Sequence, residues 1–206
     1  MTALTCVEVT DLTILRGARA LLGGLNFRAN AGEATTITGV NGAGKTSLLR
    51  AMAGLIRPTD GAIRFVSVQG EMDAYLARRE HCHLVGHADG LAPGRTAREE
   101  LTFAVCWAGG DAASAHDGAR RLGLERVLDL PVRQLSAGQR RRLVLVRLIA
   151  ARRTLWLLDE PLTPLDAASR ALIGEVMHDH LAGGGIIVAA VHDPLPIPAC
   201  SIMVPG

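Results

Sequence analysis

Lys45 is the only lysine among the 22 Lys and Arg residues of this 206-residue sequence, and it stands inside a run of glycines. The run, Gly39-Val40-Asn41-Gly42-Ala43-Gly44-Lys45-Thr46, matches GxxxxGK[ST] in full. Glycines let successive backbone N–H groups curl around phosphate oxygens. A helix opening at this point adds positive potential. Lys45 is of a length to reach the β- and γ-phosphates of a nucleotide, and the Thr46 hydroxyl suits Mg²⁺. With Ser47, these residues form the candidate ATP-binding segment.

A second constellation lies at Leu155-Trp156-Leu157-Leu158-Asp159-Glu160, an apolar strand that ends in two acids. In a parallel sheet the C-terminal ends of strands gather near the phosphate loop. Asp159 there would hold Mg²⁺ through water. Glu160 would polarise an attacking water as general base. A third segment, Leu135-Ser136-Ala137-Gly138-Gln139, reads by itself as a turn and a helix N-cap, which Ser136 suits.

The elements around these residues alternate. Cys6 to Ile14 reads as strand, Gly23-Gly24 as a turn, and Leu25 to Phe27 as resumed extended chain. Ala34 to Thr38 is short and β-branched, a buried strand leading into the glycine loop. Ser47 to Leu55 reads as helix and Ala62 to Val68 as strand. Residues from about 92 to 151 are largely helical, with breaks at Gly109-Gly110 and Pro131. Leu155 to Leu158 is strand, Leu165 to Leu181 helix, Gly183 to Gly185 its stop, and Ile186 to Val191 a buried strand. Alternating strand and helix imply a mostly parallel α/β sheet interrupted by a helical insertion.

The order of the glycine loop, Leu135–Gln139, Asp159-Glu160 and then His192 after a strand resembles the ATP-binding cassette ATPases along essentially the whole chain. The resemblance implies one P-loop cassette domain over residues 1–206. Residues 1–91 and 152–206 would form a core with N-terminal antiparallel strands, and about 92–151 a helical subdomain. It implies ATP and Mg²⁺ as cofactors and a homodimer. Leu135, Ser136, Ala137, Gly138 and Gln139 would serve the other subunit, presenting a helix N-terminus and the Ser136 hydroxyl to its γ-phosphate. Pro164-Leu165-Asp166 matches the loop that crosses the dimer interface. His192 matches the switch histidine at the γ-phosphate, with Glu160 and Lys45 completing the catalytic set.

Two positions depart from the family pattern. His87 stands where most members carry a glutamine that senses Mg²⁺ and water and contacts the membrane partner, and imidazole titrates near neutrality. Arg16 occupies the region of the usual adenine-stacking aromatic; it would stack its guanidinium plane on the base or lie solvated. Asn30-Ala31-Gly32-Glu33, Gly86-His87 and the short C-terminus are similar to the branch serving bacterial cytochrome c maturation. That branch implies membrane subunits CcmB, CcmC and CcmD, acting on the haem chaperone CcmE from the cytoplasmic face of the inner membrane. Another small ABC transporter with different cargo is the alternative.

Composition narrows the remaining classes. Hydrophobic residues are 49 % and charged residues 20 %, which excludes a disordered chain. Aromatics are 3 % and the net charge is +2, which argues against nucleic-acid binding, as does the lack of heptads or a basic extension. A small-molecule kinase would have no use for Leu135–Gln139 or His192. No apolar run is long enough to span a membrane, and Glu8 and Asp11 argue against a secretory leader. Cys6, Cys82, Cys106 and Cys200 read as reduced and mostly structural. His81-Cys82-His83 reads as strand, with no haem or metal role. His178 and His180 read as cations at a helix end. Arg140, Arg141 and Arg142 read as a solvated helix face, or as an inter-subunit contact.

Overall fold

A computed structural model describes residues 3–17 and 19–204, and for Arg16 and Arg19 the backbone alone. In chain order the elements begin with strands β1 (Leu4–Arg16), β2 (Arg19–Asn30) and β3 (Ala34–Thr38), then helix α1 (Lys45–Met52). Strands β4 (Asp60–Ser67) and β5 (Gly70–Met72) precede α2 (Ala74–His81) and β6 (Cys82–Val85). Three helices follow: α3 (Ala97–Trp107), α4 (Ala112–Arg121) and α5 (Ala137–Ala150). The chain closes with β7 (Leu155–Asp159), α6 (Ala167–Ala182), β8 (Ile186–Ala190) and β9 (Cys200–Met203).

The chain divides into two compact units. The first comprises Met1–Gly86, Arg153–Glu160 and Met177–Gly206. It contains an antiparallel sheet ordered β2-β1-β4-β5 and a parallel sheet ordered β6-β7-β8-β3-β9. One hydrophobic core joins Val7, Leu12 and Phe65 of the first sheet, Leu48 and Met52 of α1, and Leu157 and Val188 of the second. Strands β7 and β8 are buried at every position, as expected of central parallel strands covered on both faces.

Gly23-Gly24 is not a turn. Arg16 pairs with Arg19 where β1 ends and β2 begins, and the glycines lie inside β2. The pairing of β1 with β2 shifts register between Leu12 and Leu15, and Gly24 takes φ 62° there. The glycines thus serve a bulge within a long hairpin.

The second unit comprises His87–Arg152 and Pro161–Val176. Helices α3, α4 and α5 each begin with a reciprocal capping box: Thr96 with Glu99, Asp111 with Ser114, and Ser136 with Gln139. Each box satisfies orphan N–H groups at its helix start. Gly118 lets α4 approach α5 closely, because a Cβ there would lie 2.7 Å from Cγ1 of Val146. Gly109-Gly110 separates α3 from α4 as the sequence implies.

Candidate functional site

The glycine loop connects β3 to α1 in the first unit. Gly39, Gly42 and Gly44 take φ 146°, 84° and 100°, a region that side chains disfavour. Gly39 is constrained twice over, since a Cβ would lie 2.6 Å from the Val204 carbonyl oxygen. Gly44 occupies the N-cap of α1 and has no side chain to cap it. The first N–H groups of α1 therefore differ from those of α3, α4 and α5, and lie open to an anion. Lys45 is 8 % exposed, and its Nζ donates to the carbonyls of Gly39 at 2.7 Å and Val40 at 3.2 Å. Asn41 and Val40 are exposed and Ala43 is buried.

Thr46 Oγ1 donates to Asp159 Oδ2 at 2.9 Å, across 113 residues of sequence. The sheet order makes this meeting possible, because β3 and β7 both flank β8 with parallel sense. A hydroxyl and a carboxylate are hard oxygen donors of the kind Mg²⁺ takes. Among the described residues, no group of three or more His, Cys, Asp or Glu could hold a metal alone. Mg²⁺ commonly binds through one or two protein oxygens and completes its shell with substrate phosphates and water, so this donor set fits.

Glu160 follows at φ 48°, an unusual backbone for a non-glycine residue, and its N–H donates to the Ala190 carbonyl at 2.9 Å. That strained geometry turns the chain sharply off β7. Glu160 Oε1 lies 3.5 Å from His192 Nε2, and the His192 N–H donates to Glu160 Oε2 at 3.4 Å. The His192 side chain is 55 % exposed and that of Glu160 only 15 %. Lys45, Thr46, Asp159, Glu160 and His192 thus share the first unit, the last four as two hydrogen-bonded pairs.

The remaining candidates lie in the second unit. Ser136 Oγ accepts from the Gln139 N–H at 3.1 Å, and Gln139 Oε1 accepts from the Ser136 N–H at 2.8 Å. Leu135 is buried, Ala137 is exposed, and a Cβ on Gly138 would lie 3.2 Å from the Pro164 carbonyl oxygen. Asp166 Oδ1 accepts from the Ser169 N–H at 2.8 Å, and hydrogen bonds from Ser169 hold its carboxyl below the ordinary range. His87 is exposed. The Arg16 side chain lies outside the described residues.

Three sequence expectations need correction. Arg140, Arg141 and Arg142 are not a solvated face. Arg140 and Arg142 donate to the carbonyls of Leu135 and Leu122, and Arg141 is 1 % exposed. His180 is not a helix-end cation: its ring stacks on Trp156 at 3.7 Å, and burial pushes its pKa down to about 4. His81-Cys82-His83 is not all strand, because His81 closes α2 and β6 starts at Cys82. For Arg141, Arg142 and His180, packing by segments distant in sequence decides the environment, and the adjacent letters carry no sign of it. Sequence reading also missed the carbonyls of Ala190 and Val204, which no local signal marks.

The ABC transporter family pattern matches residues 22–163. The chain belongs to that family, and its α/β architecture and phosphate loop define it as an ABC-type ATPase. It is 46 % identical over 192 residues to the cytochrome c biogenesis ATP-binding export protein CcmA of Bradyrhizobium diazoefficiens, covering 93 % of this chain and 94 % of that one. Among solved structures, a putative ABC transporter ATP-binding protein of Pyrococcus furiosus superposes with TM-score 0.82 at 17 % identity, covering 97 % of this chain and 98 % of that one. A bacterial ABC transporter cassette solved as a dimer gives TM-score 0.77 at 23 % identity, over 91 % and 88 %. At these identities the two structures speak for the fold alone.

Proposed function

We propose that this chain is the ATP-hydrolysing subunit of a bacterial ABC complex for cytochrome c maturation, working with CcmB, CcmC and CcmD to release haem-loaded CcmE. The observation that carries the hydrolytic part is the meeting of Thr46 with Asp159 at 2.9 Å, one residue before Glu160 and its partner His192. The likeness to CcmA supports the pathway.

In this reading the loop from Gly39 to Gly44 and the N-terminus of α1 hold the phosphates, with Ser47 beside them. Lys45 exchanges its carbonyl partners for phosphate oxygens. Thr46 and Asp159 hold Mg²⁺, which when bound offsets phosphate charge. Glu160 orients water and accepts its proton, and His192 fixes the Glu160 carboxylate and reaches toward the γ-phosphate. Arg16 stacks on the adenine. Leu135 to Gln139 of a second copy close the site, and Asp166 lies at the interface between copies. His87 takes the sensing role of the family's glutamine.

Partner binding fits the second unit, where Phe103 and Trp107 stack on α3 while 57 % and 85 % exposed. No helix among the described residues is long and apolar enough to cross a membrane. A peripheral place on the cytoplasmic face of the inner membrane follows from partnership with membrane subunits.

Lys45→Ala tests the reading. The complex purified with its membrane subunits should lose at least about a hundredfold in ATPase rate, since charge stabilisation of this kind is worth roughly 3 kcal/mol or more. A strain whose sole copy carries Lys45→Ala should lack covalent haem in its c-type cytochromes. Normal haem attachment with ATPase abolished would remove the cytochrome c assignment and leave the ATPase.

A further inference from the structure

Arg141, one turn into α5, is 1 % exposed. A guanidinium does not shed its proton in a protein, so burying it demands strong partners. Its Nε donates to the Pro161 carbonyl at 3.1 Å. Its Nη1 lies 3.4 Å from Oδ1 of Asp89, whose side chain is one-quarter exposed. All three residues belong to the second unit.

The two partners stand at notable places in the chain. Pro161 is the first residue of the second unit after Glu160, and Asp89 lies just past the crossing at Gly86 and His87. One guanidinium therefore grips two segments by which the chain enters this unit. One follows directly on the candidate base, and the other carries His87. A planar fork with Nε and Nη at a fixed angle can hold a carbonyl and a carboxylate together, whereas an ammonium is a single point on a flexible stem.

We propose that Arg141 is a positioning residue for hydrolysis: it clasps the Asp89 and Pro161 segments into one piece. The His87 segment then cannot shift without moving the start of the chain that leaves Glu160. The proposal rests on the ATPase reading above. It assigns to a buried arginine what a plain core residue would not do, namely a hold on turnover separate from nucleotide affinity.

The test is steady-state ATPase of the complex with its membrane subunits, for wild type, Arg141→Lys, Asp89→Asn and the double variant. Each single variant should lower kcat about tenfold and leave KM for ATP within twofold. The double variant should be no slower than the slower single one, because both changes open the same clasp. Asp89→Glu, which keeps the carboxylate, should recover most of the rate. Single variants within twofold of wild-type kcat would overturn the proposal, as would losses that multiply or a KM that rises as kcat falls. If Arg141→Lys does not fold, Asp89→Asn against Asp89→Glu decides by the same criteria. A wild-type complex without ATPase would instead sink the function on which the proposal stands.

Discussion

The two ends of β7 treat polar side chains in opposite ways. At its C-terminal end Asp159 bonds Thr46, and Glu160 faces a half-exposed His192. Polar side chains there pair with one another at the exit of the strand. At its N-terminal end the His180 ring lies flat on Trp156 with an interplanar angle of 8°, and Nε2 sits 3.1 Å from the Thr154 carbonyl. His81 Nδ1 lies 3.3 Å from the Thr154 hydroxyl. Burial lowers the pKa of both histidines and pushes the Cys82 thiol up to about 12. Charge is suppressed there, and imidazole serves as an apolar plate with a polar edge. A parallel sheet sends its functional groups to one end, which leaves the other free to be packed. His180 and His192 differ in environment according to the end at which each stands.

The largest effect should come from Glu160→Gln. The amide cannot accept the proton of water, so the ATPase rate of the complex should fall by roughly 10²–10⁴. Binding of ATP should persist, and ATP-dependent dimer should accumulate on gel filtration. A rate within tenfold of wild type would take Glu160 out of the mechanism and erase the functional end of the comparison.

Acid should find the other end. Folded His180 holds its proton only below about 4, whereas unfolded it titrates near 6.5. The unfolded chain therefore binds more protons between these values. Stability from this residue is full above about 6.5 and declines as pH falls towards about 4, by roughly 3 kcal/mol in all. Denaturant unfolding at several pH values, for wild type and His180→Phe, isolates the effect. The gap between the two curves should change across that interval, and parallel curves would show that His180 carries no suppressed charge.

A smaller effect sharpens the contrast. A Cβ at Gly185 would run into the His180 ring. Gly185→Ala should cost about 2 kcal/mol of stability, read as a lower Tm. At 20 °C, well below that Tm, kcat should stay unchanged. A fall in kcat at full folding would show that the ends of β7 are not independent.

The site was far more legible in the sequence than its surroundings. Gly39 to Thr46 announces itself because its chemistry is contiguous: loop, ammonium and hydroxyl come from eight consecutive residues. Asp159 and Glu160 were legible as an acidic strand end, and the sheet order supplied their meeting with Thr46. Burial was not legible. Arg141 and His180 have the composition of surface residues, and only chain arriving from Pro161, Asp89 or Trp156 makes them interior. Gly23-Gly24 misled for a related reason. A glycine pair fits a turn and a bulge equally well, and register across the hairpin decides between them.

Strand β3, which launches the phosphate loop, lies between β8 and β9. Thr36 Oγ1 bonds the Cys200 carbonyl across 164 residues, and Val204 N–H donates to Thr38 at the loop's root. Both neighbours of this strand are translated after nearly all the rest of the chain. A ribosome that has finished Thr46 has made every residue of the loop and neither of the strands that flank β3. A chain released before residue 186 would carry the complete motif without either strand that flanks the one launching it, and nucleotide capture should come late in the life of the polypeptide. Long-range pairing of this kind also slows folding, so the order of synthesis and the order of assembly both put the completion of this strand's surroundings late.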